Sequence, residues 1–383
     1  MGPGDLGGRI ATARRDAGLT QDECAARAGL HRSALAKIET GARRIEAMEL
    51  ARLADALETR IEWFFDDAPA AVVSRRNASD PGEPSPRIDR MAERVARETM
   101  FLRSVGVGLE LPETPGLAVP GSPEEAEAAA AQVRGLLGYD ESEPALHLTE
   151  RSAGIGLLAF SIELGEHGAD GASILLATGG VAVVNGSRPL GRRRLTLAHQ
   201  LGHYVFADEY STDWNVADSD AARNESLIDR FARAVLLPAP ALRARWRSDE
   251  PARTPAVLVA SEYRVDMSTL ARRLTDLNLA SSSQADEIRA VRTRRADMVE
   301  HALVVPTDLA PPDLPSAYVK AVLKAYTDEE VTAARALDLL LGTWNEDDLP
   351  ELPLLPAAIW ARHLSLSLCN SRWSVAAGRA ANI

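Results

Sequence analysis

Two histidines in one helical stretch are spaced to share a metal ion. Residues 195–206 read LTLAHQLGHYVF, and their apolar side chains recur at helical spacing, which predicts a buried helix. His199 and His203 lie four residues apart, on one face of that helix and about a turn from each other. Imidazoles at this spacing can bind one zinc ion, so Zn²⁺ is the predicted cofactor.

The residue after the first histidine is the one that departs from the usual His-Glu-x-x-His motif. In that motif Glu is the base that activates water. Here the position holds Gln200. An amide has the size and shape of a carboxylic acid but cannot accept a proton at neutral pH. The stretch therefore predicts metal binding at a site that lacks its catalytic base.

A third candidate ligand lies on the next predicted helix, residues 222–237. Glu225 lies three residues before Ile228, so it falls on the inward face of that helix. A carboxylate in line with a buried stripe needs a partner, and zinc held by a neighbouring helix is one candidate. Tyr204 and Asp229 are further candidates for hydrogen bonds to the ligands. The alternative is that both histidines are ordinary core residues.

Short strands precede the metal helix. Residues 155–164 contain one strand candidate, and residues 173–185 contain two more, joined across Gly179-Gly180, which is a hairpin signal. Strands that lead into a helix in this way predict an α+β domain. The expected fold is a short β-sheet plus metal-binding helices.

The N-terminal residues predict a separate all-α module. Thr20 and Glu23 form a capping-box pattern, and two short helices meet across a turn at Gly29, as in a helix-turn-helix. Residues 20–25 (TQDECA) and 29–41 (GLHRSALAKIETG) resemble the Cro/repressor-type (XRE) helix-turn-helix family.

This resemblance implies binding to a double-stranded DNA operator, with a recognition helix that begins at His31. Base-reading side chains would then be Arg32, Ser33 and Lys37, and phosphate contacts would come from Gln21 and Arg43. The alternative is a four-helix module whose charges are only a solvated face. Residues 5–65 hold ten basic and ten acidic residues, so net charge alone does not decide between them.

Composition excludes several other classes. Hydrophobic content of 46% and charged content of 26% are typical of soluble globular proteins, and a net charge of −12 argues against coating of nucleic acid. The only two cysteines, Cys24 and Cys369, do not suggest a disulfide framework. No apolar run is long enough for a membrane span, and no signal peptide is evident. We predict a cytoplasmic protein with no membrane partner.

A second resemblance covers the centre of the chain. Residues 196–203 (TLAHQLGH), 225–232 (ESLIDRFA) and 236–238 (LLP) are similar to the ImmA/IrrE family of metallopeptidases, over about residues 153–277. The family implies zinc held by His199, His203 and Glu225, and cleavage or antagonism of repressor-type proteins in stress or mobile-element responses. Members of the family often carry an N-terminal helix-turn-helix.

Five regions follow from these patterns. They are the helix-turn-helix domain (5–66), a Pro-rich linker with an amphipathic helix (67–123), the metallopeptidase-like domain (124–280), a helical region (281–351) and a tail of unknown role (352–383). The linker helix carries Ile88, Val95 and Leu102 on one face, which is a candidate seam for a possible homodimer or a packing face. In the helical region, residues 284–301 predict a single helix.

Three interpretations of Gln200 stay open. In the first, Gln200 is natural and the domain is a pseudoenzyme. In the second, Gln200 replaces a Glu in order to inactivate a peptidase. In the third, another carboxylate, such as Asp208 or Glu209, acts as the base. Two functions follow. The first is a DNA-binding regulator with a hydrolytically impaired metallopeptidase-like domain. The alternative is a zinc endopeptidase that cleaves repressor-type helix-turn-helix proteins.

Overall fold

A computed structural model describes residues 3–57, 61–65, 74–76, 86–165, 169–207, 218–246 and 251–352. It divides into two compact units, residues 1–322 and 323–383. The first unit holds the N-terminal helices and the sheet. Within the described residues, no helix is both long and apolar enough to cross a bilayer.

The N-terminal module is built from four helices and a 3-10 turn. They are α1 (Pro3–Asp16), α2 (Gln21–Arg27), α3 (Arg32–Glu39), α4 (Ala47–Ala56) and the 3-10 helix Ile61–Phe64. The predicted capping box is present, because Thr20 Oγ1 accepts from Glu23 N and the Glu23 carboxylate accepts from Thr20 N. Apolar side chains from all four helices form one core.

The sheet has four strands in the order β1-β3-β4-β2. They are β1 (Ser74–Arg76), β2 (Leu157–Ile162), β3 (Gly171–Leu175) and β4 (Gly180–Asn185). β2 runs parallel to β4, and β1 and β4 both run antiparallel to β3. The predicted hairpin is confirmed, with Leu176 N donating to Gly179 O at 3.0 Å. β1 lies in the stretch predicted as a linker, where no strand was expected.

The sheet lies between two helices. α5 (Pro86–Ser104) and α8 (Leu190–Phe206) both pack against β3 and β4, and every residue of β4 is buried. Ile88, Val95 and Leu102 of α5 are buried within this chain. The apolar face of the linker helix therefore serves packing in the monomer and does not present a dimer seam. A homodimer stays a prediction.

The other helices complete the two units. They are α6 (Pro123–Leu136), α7 (Leu148–Gly154), α9 (Asp218–Leu236), α10 (Ala239–Arg245), α11 (Arg253–Glu262), α12 (Met267–Asp276), α13 (Ser282–Ala290), α14 (Arg295–Glu300), α15 (Ser316–Thr327), α16 (Ala333–Leu339) and the 3-10 helix Glu346–Asp348. The described part of the chain is mostly helical with one small sheet, so the α+β prediction is confirmed.

The single helix predicted over residues 284–301 is wrong, because α13 and α14 are separate. Val291 is extended, and Asp297 accepts the backbone N–H of Arg294 at 2.6 Å, which starts a new helix there. The same carboxylate accepts two hydrogen bonds from Arg253, both of 2.8 Å. This contact between distant residues is not visible in the local pattern. The predicted tail lies outside the described residues apart from its first residue.

Candidate metal centre and helix-turn-helix surface

Helix α8 buries both histidines beside each other. His199 is 2% exposed and His203 is 3% exposed, and their Nε2 atoms lie 3.1 Å apart. The four-residue spacing places both rings on one side of the helix, where α9 packs. The predicted convergence of the two imidazoles is therefore present in the structure.

Helix α9 brings Glu225 to the same point. A Cβ atom at Gly202 would lie 2.9 Å from the Ile228 side chain, so the glycine between the two histidines permits close packing of α8 and α9. Glu225 Oε2 then lies 3.3 Å from His199 Nε2, and Oε1 lies 3.5 Å from His203 Nε2. The Glu225 side chain is 49% exposed, so the cluster is open to solvent on this side.

Asp229, one turn along α9, fixes the orientation of His199. Its Oδ1 atom lies 2.9 Å from His199 Nδ1. A neutral imidazole that donates its Nδ1 proton to this carboxylate carries its lone pair on Nε2. That lone pair faces the carboxylate of Glu225 and the Nε2 atom of His203, which is also an acceptor when its ring carries the proton on Nδ1. Acceptor atoms that lie this close together repel one another, and a cation bound to all of them would remove that repulsion.

The donor set fits zinc. Tetrahedral Zn²⁺ with bonds of about 2.0–2.2 Å places neighbouring ligand atoms roughly 3.3–3.5 Å apart. The two Nε2 atoms lie 3.1 Å apart, and each lies 3.3 or 3.5 Å from a different oxygen of the Glu225 carboxylate, so all three separations are close to this range. Among the described residues, this is the group of His, Cys, Asp or Glu side chains whose atoms converge within 4.8 Å. Two imidazole nitrogens and one carboxylate oxygen are ligands that zinc prefers, and they leave a fourth position open.

The charge state of Glu225 also suits a ligand. Burial raises the pKa of its carboxyl, but the two imidazoles, when they are protonated in the absence of a cation, outweigh that effect through the hydrogen bond from His199 and through the charges of His203 and His199. The pKa of Glu225 therefore lies below its ordinary value. The group is a carboxylate at neutral pH, as metal binding requires.

Gln200 is fully buried against strand β3. Its Oε1 atom accepts a 2.7 Å hydrogen bond from Ser173 Oγ, whereas its Nε2 atom has no hydrogen-bond partner among the described residues. An unpaired buried amide N–H costs about 1–3 kcal/mol. The position therefore offers a hydrogen-bond donor to an oxygen atom, and it offers no base.

The side chains predicted to read DNA are exposed, in contrast to the buried histidines of α8. Arg32, Ser33 and Lys37 are exposed on α3, and the nearest carboxylate to Arg32, that of Asp22, lies 3.6 Å away with both side chains mostly in solvent. These three side chains are free to contact another molecule. They occupy the first two turns of the helix predicted to enter the major groove.

Two family models match these two regions. A helix-turn-helix domain matches residues 5–62, and an IrrE N-terminal-like domain, a peptidase family, matches residues 152–275. The second match contains both histidines, Gln200 and Glu225. The chain joins a helix-turn-helix domain to an IrrE-like peptidase domain. No curated protein matches the chain.

In the IrrE-like domain, sequence reasoning found some supporting residues and missed others. The predicted contact of Asp229 with a histidine is present, whereas Tyr204 donates its hydroxyl to Ile155 O at 2.7 Å. Burial raises the pKa of Tyr204 to about 12, so it stays a neutral donor. Ser173 was missed, because nothing in the local pattern of β3 indicates which helix residue it meets. The alternative bases at positions 208 and 209 lie outside the described residues.

In the helix-turn-helix domain, the two predicted phosphate contacts are occupied by internal partners. Gln21 donates to Glu39 Oε2 at 2.7 Å, and Arg43 Nη2 pairs with Glu49 Oε1 at 2.8 Å. Arg43 remains about one-third exposed, so it can still reach an anion. Their role in DNA binding stays a prediction.

Glu39 is the centre of a network that holds this domain together. It accepts two hydrogen bonds from Arg14, at 2.6 and 3.1 Å, besides the one from Gln21. The hydrogen bond with Glu39 raises the pKa of Arg14. The network joins α1, α2 and α3, and it presents α3 in a fixed orientation.

Proposed function

We propose that this protein is a DNA-binding regulator whose IrrE-like domain binds one zinc ion and hydrolyses peptides poorly. His199, His203 and Glu225 would hold the zinc. The observation that carries the proposal is the pairing of a zinc-type donor set with a buried amide at the base position. The partners would be a double-stranded operator, bound by the helix-turn-helix domain, and a repressor-type protein.

The chain's own residues account for the expected weak hydrolysis. Zinc at this site would supply a Lewis acid that polarises a peptide carbonyl and acidifies a water molecule. Asp229 orients His199, and Ser173 holds the Gln200 amide by its oxygen. Gln200 can then donate a hydrogen bond to an oxygen atom of water or peptide, but it cannot remove a proton. Loss of a general base typically costs ~10²–10⁴ in rate.

The second candidate function is a zinc endopeptidase that cleaves repressor-type helix-turn-helix proteins in a stress or mobile-element response. The Ser173 contact favours it, because a hydroxyl that donates to the oxygen of Gln200 would donate equally well to a carboxylate. A Glu at this position could thus keep the hydrogen bond from Ser173. The residue encoded at position 200 in the natural gene separates a natural pseudoenzyme from an inactivated peptidase.

The test is the Gln200→Glu variant, loaded with zinc and incubated with purified repressor-type helix-turn-helix proteins. We expect discrete fragments and a rate gain on the order of 10²–10⁴ over the Gln form. The double variant with His199→Ala is the control and should be inactive. Fragments from the Glu form alone would show a competent site that lacks only its base. Their absence from a zinc-loaded Glu form contradicts this expectation and favours a pseudoenzyme, and equal cleavage by both forms contradicts the role given to Gln200.

A further inference from the structure

A short strand from the region between the two family domains lies at the edge of the sheet, next to the metal helix. β1 pairs antiparallel with β3 in the register Ser74 to Ser173, Arg75 to Ala172 and Arg76 to Gly171. Among the described strands it is the outermost on that side of the sheet, and it also lies against α8. Only three residues make this pairing.

The hydrogen bonds of β3 show which residues face β1. Asn185 N donates to Asp170 O, and Leu176 N donates to Gly179 O, so the even-numbered residues of β3 direct their peptide groups to β4. Gly171 and Ser173 therefore direct theirs to β1. It follows that Ser74 and Arg76 exchange hydrogen bonds with β3, while the N–H of Arg75 points away from it.

The same two residues of β3 contact α8 at the position of the missing base. Ser173 Oγ donates to Gln200 Oε1 at 2.7 Å. A Cβ atom at Gly171 would overlap the side chain of Thr196 and lie 3.6 Å from Gln200 Cγ, so glycine lets the strand approach the helix closely. The backbone of β1 is thus one strand spacing, about 4.8 Å, from the part of β3 that packs on Gln200.

A peptide that reaches a peptidase-type centre in extended form can bind by adding a strand to a neighbouring sheet edge. The edge of β3 beside Gln200 provides such a place, and β1 already fills it in the antiparallel direction. We propose that Ser74–Arg76 is an internal, substrate-like strand, which must leave the edge of β3 before a second peptide can bind there. The inference rests on the proposed function, because the edge serves peptides only if the neighbouring cluster is a peptidase-type site.

Three proline variants test the proposal: Arg76→Pro and Ser74→Pro, which should release β1, and Arg75→Pro, which is the matched control. Arg76→Pro removes an N–H that donates to β3, whereas Arg75→Pro removes an N–H that points away, and both lose one arginine. Ser74→Pro, at the other hydrogen-bonded pair, should behave as Arg76→Pro does. The probe is a fluorescent peptide with the sequence of residues 71–79, and its binding to each full-length protein is measured by anisotropy.

We expect the peptide to bind Arg76→Pro and Ser74→Pro about tenfold or more tightly than the unsubstituted chain, because the competing strand is released. Arg75→Pro should bind like the unsubstituted chain. Amide exchange at Gly171 and Ser173 should be slow in the unsubstituted chain, fast in the two releasing variants and slow again with peptide. Equal binding by all four proteins, no binding by any, or equal gains at all three positions would overturn the proposal.

Zinc content is measured on the same preparations, so the two possible failures are distinguishable. An unsubstituted chain that binds no zinc contradicts the proposed function. A zinc-loaded chain in which release of β1 changes neither peptide binding nor exchange at β3 contradicts only the role of the strand.

Discussion

Two glutamates show how the helix-turn-helix domain and the candidate metal centre differ. Glu39 joins three helices and is neutralised by Arg14, which is permanently cationic, so its hydrogen-bond needs are met within the fold. Glu225 joins two helices but faces the Nε2 atoms of two imidazole rings, and the Nδ1 atom of one of these rings lies 2.9 Å from Asp229. In the first cluster the charge of the carboxylate is balanced within the fold. In the second cluster a bound cation would balance it.

This difference separates clusters that hold the fold from clusters that bind something. In the helix-turn-helix domain the buried charges form pairs, and the side chains expected to read DNA are left in solvent. In the IrrE-like domain the two candidate histidine ligands are themselves buried and contact each other. Polar groups that donate to and accept from each other indicate a role in stabilising the fold. A cluster of acceptors with no donor among them indicates a binding site for a cation.

The largest effect should come from removing each glutamate in turn. Glu39→Ala leaves Arg14 with its charge mostly buried, and we expect a loss of about 3–5 kcal/mol in the free energy of unfolding of the N-terminal helices. Glu225→Ala in the zinc-free protein should change stability much less, because this carboxylate is half exposed. Amide exchange followed by mass spectrometry reports both changes in the full chain. A comparable loss of stability in both variants would contradict the distinction between a carboxylate that holds the fold and one that binds a cation.

A smaller effect is expected at Asp229. Asp229→Asn keeps the side-chain shape but weakens the contact that orients His199, so zinc affinity should fall by about 10–100-fold. Asp286→Asn, on an exposed part of α13, is the matched control and should leave affinity unchanged. Competition with a chelator of known affinity measures both. Unchanged zinc binding in Asp229→Asn would show that the orientation of His199 does not depend on this carboxylate.

The DNA-facing residues should show the smallest effects. Arg32→Ala should weaken binding to a preferred operator by roughly 1–3 kcal/mol and relax specificity at one base pair. Arg43→Ala should weaken binding to all sequences and lower the salt slope by about one. Operators recovered by selection from genomic fragments provide the ligands for both titrations. Recovery of no preferred DNA at low salt would contradict the assignment of base-reading side chains to α3.

Features that depend on local spacing could be predicted from the sequence. The two histidines lie one turn apart on a helix, so their convergence follows from helical geometry alone. The approach of Glu225 to the histidines follows from its position on α9, although its side chain is half exposed and does not lie on the fully inward face that the pattern predicts. The capping box at Thr20 is likewise a contact over three residues.

Features that depend on contacts between distant residues could not be predicted. The hydrogen bond from Ser173 to Gln200 depends on how β3 packs against α8. β1 has three residues, too few to show an alternating pattern, and it is a strand only because β3 pairs with it. The internal partner of Arg43 is likewise visible only after α4 is placed.

Metal content of the purified chain tests the central claim most directly. Two imidazoles and a carboxylate with one open position predict about one zinc per chain, removable by a chelator and restored by added zinc. His199→Ala should lose most of that zinc, while His301→Ala, at a histidine outside the cluster, should keep it. A chain that carries no zinc and cannot take it up, or a His199→Ala variant that binds zinc as well as the unsubstituted chain, would contradict the assignment of the centre.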